Sequence, residues 1–256
     1  MLPRFQPIEL LKPYFIITVS YILCINKNIY YKYFLTSIVL FPIILLLLTQ
    51  PDLGQTLLII MVWLTLIFVS GINIFLFFFF FILSIFLSSY LIFFIEKFEY
   101  IKLRLVSFLD TSAGNNYQAD RASDAISSGG LFGRGIGEGT LNSKVPEAHT
   151  DYIISVISEE FGVIIVILIM IIFLVFSYKV IKKINQSYSE KNKLILIGCT
   201  TLVLLQTFVH IGVNIRILPT TGMTLPFLSY GGSSIISTAF ISGIILNLTK
   251  RKLSEI

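Results

Sequence analysis

Three titratable side chains stand close together where a polar segment meets an apolar one. Glu147, His149 and Asp151 fall within five residues, just before an apolar run that begins at residue 153. A carboxylate partly removed from water has a raised pKa and can act as a general base. Helix capping is the alternative, because Thr150 or Asp151 could accept hydrogen bonds from free backbone N–H groups. One histidine with two carboxylates is a weak metal-ligand set.

A glycine-rich segment precedes this cluster. Six glycines occupy the eleven positions 129–139, and Arg134 lies among them. Glycine lets the backbone approach a ligand closely, and consecutive backbone N–H groups can bind phosphate. The spacing matches neither GxGxxG nor GxxxxGK[ST], so the sequence gives no support for a nucleotide site. A ligand-contacting loop and a merely flexible loop both fit the glycine content.

A third polar segment interrupts the apolar sequence between residues 214 and 234. It contains two prolines and three glycines. Irregular backbone near the membrane is tolerated where it is buried in protein or lines a wet cavity. Arg216 could pair with an anionic substrate or extend to lipid headgroups. Ser233 and Ser234 lack a G-x-S-x-G context, so we expect them to cap a helix.

Some polar residues are isolated within apolar runs. His210 is predicted to form an interhelical hydrogen bond. Glu159 and Glu160 follow Asp151 within a few helical turns, and carboxylates buried in membrane helices are usually functional. Cys24 and Cys199 are predicted to be packing residues without reactivity.

The overall composition indicates whether these groups belong to a soluble protein or to a membrane protein. The chain has 256 residues, of which 55% are hydrophobic and 13% charged. Soluble domains carry roughly 25% charged residues. A polytopic membrane protein is therefore predicted. The net charge of +5 is explained by lysines between apolar runs, and we expect no nucleic-acid partner.

The apolar runs predict an all-α, polytopic membrane helix bundle, treated as one integral domain over residues 1–256. Seven runs approach the ~20 residues needed to span a bilayer. Only residues 50–52 separate the second run from the third, which predicts a tight helical hairpin with Asp52 as a helix N-cap. The seven runs cover residues 10–25, 33–49, 53–71, 73–95, 153–178, 194–214 and 233–249.

Lysines in the short loops predict the orientation in the membrane. Segments 26–32, 179–193 and 250–252 are rich in lysine and arginine and are expected on the cytoplasmic side. The long segment 96–150 and the segment 214–232 are then external, and the C-terminus is cytoplasmic. Seven spans would start outside without a signal peptide, so we expect the chain to be the later part of a larger membrane protein.

Four separated motifs in this order resemble the SEDS family, the shape, elongation, division and sporulation proteins of bacteria. The wording of two of them, PEAHTD at 146–151 and LPFLSYGGSS at 225–234, is similar to the division branch, FtsW, rather than the elongation branch, RodA. The other two are QPDLGQT at 50–56 and the glycine segment 128–140. The resemblance covers nearly the whole chain, including residues 4–12.

The resemblance implies an enzyme of the bacterial inner (plasma) membrane, at the division septum. Family members have ten helices and polymerise lipid II, a disaccharide linked to a lipid diphosphate, into glycan strands. They act with a class B penicillin-binding protein, a transpeptidase, and with other divisome membrane proteins. Their essential aspartate corresponds to Asp151 here. The first three helices of the family lack a counterpart in this chain.

The resemblance also implies roles for individual residues. Asp151 would be the general base for the acceptor hydroxyl. Arg134, Arg216 or Lys12 would offset the charge of the departing diphosphate, and a divalent cation, Mg²⁺ or Mn²⁺, is a candidate cofactor. A groove between helices would hold the polyprenyl tail. Further expected substrate-binding residues are Glu147, His149, Glu9, Ser229 and Gly231.

Two other functions fit the same sequence. A lipid II flippase or related transporter would also use broken helices and buried carboxylates. An inactive remnant acting as a division-complex scaffold is the third possibility. Thr221 stands where the division branch usually has lysine, so we expect either the contacts to the diphosphate or the regulation by a partner to differ.

Overall fold

The computed structural model describes residues 6–25, 28–50, 52–94, 98–109, 117–141, 145–184 and 189–250. Those residues form ten helices and no strand, which confirms the predicted all-α fold. The helices are α1 (Pro7–Leu23), α2 (Ile29–Thr49), α3 (Leu53–Val69), α4 (Ile74–Phe94), α5 (Glu99–Leu109), α6 (Tyr117–Gly129), α7 (Ile153–Phe161), α8 (Val163–Ile184), α9 (Glu190–Asn214) and α10 (Gly232–Thr249).

All seven predicted apolar runs are helical. Four helices, α2, α8, α9 and α10, are long and apolar enough to cross a bilayer, and α3 and α4 contribute shorter apolar helices. The protein is therefore a multi-pass membrane protein. The fifth run differs from its predicted form, because it is two helices, α7 and α8, that meet at Gly162. Gly162 has a φ of 85°, which L-residues with a side chain rarely adopt, so the helix breaks there.

The segment predicted as a long external loop contains two helices, α5 and α6. Helix α6 packs along α7 through small residues, Ala119, Ala122 and Ala125, all of which are buried. Small side chains let two helix backbones approach closely, which increases the van der Waals contact between them. The segment therefore forms a cap of helices over the bundle and brings α5 and α6 to the residues around Asp151.

Helix α9 forms the centre of the bundle and contacts α1, α3, α8 and α10. Its residue Cys199 is buried in the core beside Leu202 and Leu196. Gly198 lies against Ile16 of α1, where an added Cβ would come within 2.6 Å of the isoleucine Cγ2. This close packing fixes α9, and its C-terminal turn carries residues of the candidate site.

The turn between α2 and α3 also places a polar group. Asp52 caps α3, and its side chain accepts a hydrogen bond from the backbone N–H of Gln55 at 3.0 Å. The cap satisfies one of the N–H groups left free at a helix start. Pro51 lies outside the described residues. The predicted hairpin and its cap are confirmed.

Candidate functional site

A small polar cavity of about 90 Å³ lies beside Asp151. Besides Asp151 and its neighbour Tyr152, its walls come from four parts of the fold: Arg104 of α5, Gln118 of α6, His210 of α9 and the segment 220–223 before α10. Liquid water occupies about 30 Å³ per molecule. The cavity can therefore hold a few waters, or the hydroxyl groups of a ligand.

Asp151 sits in a tight turn that begins at Glu147. Glu147 has a φ of 56°, and its carbonyl accepts hydrogen bonds from the backbone N–H groups of Thr150 at 3.1 Å and Asp151 at 3.0 Å. The Ser229 hydroxyl donates to the carbonyl of Thr150 at 2.6 Å, and the backbone N–H of Tyr230 donates to the carbonyl of His149 at 2.9 Å. The turn is thus fastened to the segment before α10.

A buried amide fixes Asp151 relative to α9. The side-chain N–H₂ of Asn214 donates to the carbonyl of Asp151 at 3.1 Å and to the carbonyl of His210 at 2.8 Å. Its side-chain oxygen accepts from the backbone N–H of Ser155 at 3.2 Å. Asn214 is fully buried, and a buried amide with all these bonds made holds its partners in one arrangement.

The environment of Asp151 favours its protonated form. Burial, together with the nearby charges of Glu147 and Asp52, raises the pKa of its carboxyl to about 6. Burial also raises the pKa of the Asp52 carboxyl above its usual range. Gly222 lies beside Asp151, since an added Cβ there would be 3.6 Å from one carboxylate oxygen. A carboxyl with a pKa near neutral pH is suited to accept a proton in catalysis.

A second, apolar cavity of about 440 Å³ lies between α2, α3, α4 and α5. Phe41, Ile60 and Trp63 are among its wall residues. Arg104, Thr220 and Thr221 line both this groove and the polar cavity. We call the larger space the apolar groove. A ligand with a polar head and an apolar tail could therefore place the two parts on either side of one shared wall.

Two of the predicted cations do not line the polar cavity. Arg134 donates to the carbonyl of Ser128 at 3.1 Å and to the hydroxyl of Thr140 at 3.3 Å, within the glycine segment. Arg216 forms an ion pair with Asp120 of α6 at 2.7 Å. The side chain of Arg134 thus bonds within the glycine segment, and that of Arg216 joins segment 214–232 to α6. Among the described residues, Arg104 is the cation that lines the cavity.

Lys12 and Glu9 lie inside the helix bundle. They form a buried ion pair at 2.7 Å, and the Glu9 carboxylate also accepts from the side-chain amide of Gln55 at 3.0 Å. Lys12 donates to Gln206 at 3.4 Å, and Gln206 donates to the carbonyl of Thr224 at 2.9 Å. Buried charges are tolerated when they are paired and hydrogen-bonded. This network links α1, α3 and α9 to the segment before α10.

Two glycines of segment 129–139, Gly129 and Gly133, allow close packing against α7. A Cβ at Gly129 would overlap the carbonyl of Ser158, and one at Gly133 would overlap that of Glu160. Glu159, which is fully buried, accepts hydrogen bonds from the backbone N–H groups of Thr140 and Leu141, both at 2.9 Å. The side chain of Glu159 thus fixes the glycine segment, and it is not part of the cavity wall.

The remaining predicted residues lie around the turn. Glu147 and His149 are exposed, and the Glu147 carboxylate accepts from the Thr150 hydroxyl at 2.9 Å. Ser229 fixes the turn through its hydroxyl, and Gly231 is the N-cap residue of α10. Their substrate-binding roles stay predictions.

Sequence reasoning missed several wall residues. Arg104 and Gln118 lie on α5 and α6, within the segment 96–150 that was predicted to be a loop. No sequence motif marks either residue. Gly222 and Asn214 were inside the third polar segment, but nothing in the sequence linked them to Asp151. A signal existed only for Asn214, because a polar amide at the end of an apolar run is usually bonded.

The described residues contain no group of three or more His, Cys, Asp or Glu side chains placed to hold a metal ion. Asp52 is near enough to Asp151 to raise its pKa, but two carboxylates are a sparse ligand set for Mg²⁺ or Mn²⁺. The described residues thus do not fit a metal site built by the protein alone.

The family model FTSW_RODA_SPOVE, described as cell cycle protein, matches residues 2–253. The chain belongs to the FtsW/RodA/SpoVE family. A probable peptidoglycan glycosyltransferase FtsW of Caulobacter vibrioides is 33% identical over 258 residues, which cover 96% of this chain and 63% of the relative. A putative peptidoglycan glycosyltransferase FtsW of Mesostigma viride is 37% identical, over 95% of this chain and 59% of the relative. The chain thus spans about three fifths of the length of these curated relatives.

Solved structures of the same family share the fold. One solved structure is described as "Structural coordination of polymerization and crosslinking by a peptidoglycan synthase complex". This chain superposes on it with a TM-score of 0.75 at 25% identity, covering 96% of this chain and 70% of that one. The rod shape determining protein RodA of Thermus thermophilus superposes with a TM-score of 0.62 at 24% identity, covering 97% of this chain and 67% of that one. The SEDS resemblance is confirmed.

Proposed function

We propose that this protein is a peptidoglycan glycosyltransferase that polymerises lipid II into glycan strands during cell division. The observation that carries the proposal is the shared wall between two cavities. An acid with a raised pKa lies in the polar cavity, and the apolar groove begins on the other side of Arg104, Thr220 and Thr221. A sugar linked through a diphosphate to a polyprenyl chain has the matching order of polar, anionic and apolar parts.

The proposed reaction is a displacement at the anomeric carbon of the donor sugar. The acceptor hydroxyl oxygen forms the new bond to that carbon, and its proton passes to the Asp151 carboxylate. The bond from the anomeric carbon to the diphosphate oxygen breaks, and its electron pair leaves with the lipid diphosphate. The proton on Asp151 is then released to water, which regenerates the base.

The departing diphosphate needs positive charge close to it. Arg104 is the arginine whose side chain lines both cavities, and one of its guanidinium N–H groups donates to the carbonyl of Thr220 at 3.5 Å. A guanidinium binds phosphate oxygens through two parallel hydrogen bonds. We therefore assign Arg104 the role that the sequence suggested for Arg134, Arg216 or Lys12.

The apolar groove would receive the polyprenyl tail. It is walled almost wholly by aliphatic and aromatic side chains of α2, α3 and α4, including Phe41, Leu57 and Leu87. Pockets of this kind hold apolar ligands through van der Waals contact and fix their orientation with few polar groups. The diphosphate would then lie at the Arg104 end of the groove.

The proposed setting is the bacterial plasma membrane at the septum, with a cytoplasmic C-terminus. A class B penicillin-binding protein is the proposed partner, because the glycan strands require a transpeptidase to crosslink them. The similarity to a solved peptidoglycan synthase complex supports this partner class. Other divisome membrane proteins are further proposed partners.

The test is polymerisation of lipid II by the full chain in liposomes, alone and with a class B penicillin-binding protein. Asp151→Asn keeps the shape of the side chain and removes its basicity, so we expect the rate to fall at least 100-fold, in the range of lost general-base catalysis. Asp124→Asn is the matched control. Asp124 is exposed on α6, where it pairs with Arg121 at 3.5 Å, and its loss should leave the rate unchanged.

A flipping assay on the same liposomes separates enzyme from transporter. Labelled lipid II that crosses the bilayer without being polymerised, in wild type and Asp151→Asn alike, would favour a flippase. Absence of both activities in the folded wild-type chain would favour the scaffold.

A further inference from the structure

One residue that lines the Asp151 cavity has a buried polar atom without a hydrogen-bond partner among the described residues. His210 is 1% exposed and lines the cavity. Its Nδ1 lies 2.7 Å from the carbonyl of Met223, but its Nε2 is buried and has no hydrogen-bond partner among the described residues. Buried polar atoms in native proteins are nearly always bonded, and an exception calls for an explanation such as a missing ligand.

The partner of Nδ1 determines what Nε2 can do. A carbonyl oxygen can only accept, so Nδ1 carries the proton and donates it to Met223. In the neutral ring Nε2 then holds a lone pair and is a hydrogen-bond acceptor. A doubly protonated ring this deeply buried would be an uncompensated charge. The Nε2 atom of His210 is therefore an acceptor that has no donor among the described residues.

The chemistry of the proposed substrate limits which part can supply that donor. Diphosphate oxygens are acceptors and would face the Nε2 lone pair unfavourably. A polyprenyl tail has no polar hydrogen. Sugar hydroxyl and acetamido N–H groups are donors, and the sugar is the part that must reach Asp151 for the reaction to occur.

The positions of His210 and Asp151 are coupled. The Asn214 amide donates to the backbone carbonyls of both residues, at 2.8 Å and 3.1 Å. Met223, which holds the His210 ring, also lines the cavity, next to Gly222 beside the Asp151 carboxylate. A ligand bonded to Nε2 is therefore held at a fixed place relative to Asp151.

We propose that His210 is a substrate-binding residue whose Nε2 accepts a hydrogen bond from an O–H or N–H group of the acceptor sugar. This bond holds the sugar so that the reacting hydroxyl faces the Asp151 carboxylate. The inference rests on the proposed function, because it takes the sugar of a lipid-linked saccharide as the ligand. The sequence predicted only an interhelical hydrogen bond for His210, so its substrate-binding role is an addition to the site.

Two substitutions separate the two edges of the ring. The amide of His210→Asn lies near the Nδ1 position, so it keeps the donor to Met223 and loses the acceptor at Nε2. The amide of His210→Gln reaches the Nε2 position, so it keeps an acceptor there and loses the bond to Met223. We expect kcat/KM for lipid II polymerisation to fall about tenfold or more in His210→Asn, mostly through KM, and to stay within about threefold in His210→Gln.

Thermal unfolding of both variants distinguishes binding from structure. The proposal predicts a melting temperature close to wild type for His210→Asn despite its lower kcat/KM. If His210→Asn has full activity, or if His210→Gln alone loses activity together with melting temperature, the ring matters only through Met223 and the proposal is overturned.

A spectroscopic readout tests the proposal without turnover. The chain has two histidines, so ¹⁵N-histidine NMR of the full chain gives few signals, and His149→Gln assigns them. In Asp151→Asn, added lipid II should shift the Nε2 resonance of His210 and leave its protonated Nδ1 nearly unchanged. A Nε2 resonance that stays in place while lipid II binds overturns the proposal. Lack of polymerisation by the wild type, with the Nε2 shift present, would instead overturn the proposed reaction.

Discussion

The rate of polymerisation should follow the ionisation of Asp151. Burial, Glu147 and Asp52 raise the pKa of this carboxyl to about 6. A general base must be ionised before it can accept a proton. About nine tenths of the carboxyl is ionised one unit above its pKa and about one tenth is ionised one unit below it. Hence kcat/KM should be nearly maximal at pH 7, half-maximal near pH 6 and about one tenth of maximal near pH 5.

The assay is the initial rate of lipid II polymerisation in liposomes, measured at low substrate concentration across this pH range. Under these conditions kcat/KM reports the pKa of the free enzyme. Thermal unfolding at each pH shows whether the protein stays folded. An acidic limb with its midpoint near pH 4, the ordinary range of an aspartate, would refute the reasoning about burial.

Glu147 provides a second check of the same cause. Its negative charge contributes to the raised pKa of Asp151. Glu147→Gln removes that charge, so the midpoint of the acidic limb should move to lower pH, whatever the plateau rate of the variant. Glu138→Gln, an exposed change in the glycine segment, is the matched control and should leave the limb in place. The same midpoint of the acidic limb in wild type and both variants would show that the Glu147 charge does not raise the pKa of Asp151.

The same pKa predicts how stability depends on pH. The pKa of Asp151 is about 6 in the folded protein and ordinary, near 3.9, in the unfolded chain. Protonation therefore favours the folded state: this contribution is fully present below about pH 4 and is lost as pH rises through about pH 6. Since Asn carries no charge to desolvate, Asp151→Asn should stabilise the protein at pH 7 by about 1–2 kcal/mol after discounting for partial exposure. The gain should vanish near pH 4, and equal melting temperatures at pH 7 would contradict it.

Three further predictions concern the walls of the site. Arg104→Gln should lower kcat/KM for lipid II polymerisation about 10- to 100-fold, with Arg104→Lys retaining part of the rate. Arg121→Gln, at a half-buried arginine of α6 outside both cavities, is the control and should leave kcat/KM unchanged. Gly222→Ala places a side chain at a φ of 67° and 3.6 Å from the Asp151 carboxylate. It should therefore lower the free energy of unfolding by about 1–3 kcal/mol and also lower the polymerisation rate. Gly243→Ala, in open space on α10, should lower neither. Glu159→Ala leaves two backbone N–H groups of the glycine segment unbonded and should cost about 2–4 kcal/mol in thermal unfolding, unlike Glu138→Ala.

The helical fold followed from composition and apolar periodicity, because a membrane span must satisfy its own backbone. Runs such as 33–49 and 194–214 therefore matched α2 and α9 closely. The break at Gly162 was not predicted, since a single glycine inside an apolar run also occurs in unbroken helices. Its φ of 85° arises where the chain passes the Leu131 backbone, a contact distant in sequence.

The candidate site was predicted in part. Asp151 was found from its charge at the edge of an apolar run. Its neighbours Arg104, Gln118 and Gly222 were not found, because they come from helices and a loop brought together only by tertiary packing. For the glycine segment, the sequence predicted close approach of the backbone but not the group that is approached. A ligand was expected, whereas Gly129 and Gly133 lie against backbone carbonyls of α7.

The central claim is that one lipid-linked substrate occupies both the polar cavity and the apolar groove. The most direct measurement is a structure of the full Asp151→Asn chain with lipid II bound in a lipid nanodisc. The account predicts the sugar within hydrogen-bonding distance of residue 151, the diphosphate beside Arg104 and the polyprenyl tail between α2, α3 and α4. Lipid II bound on another face of the bundle, with both cavities empty of it, would contradict the account.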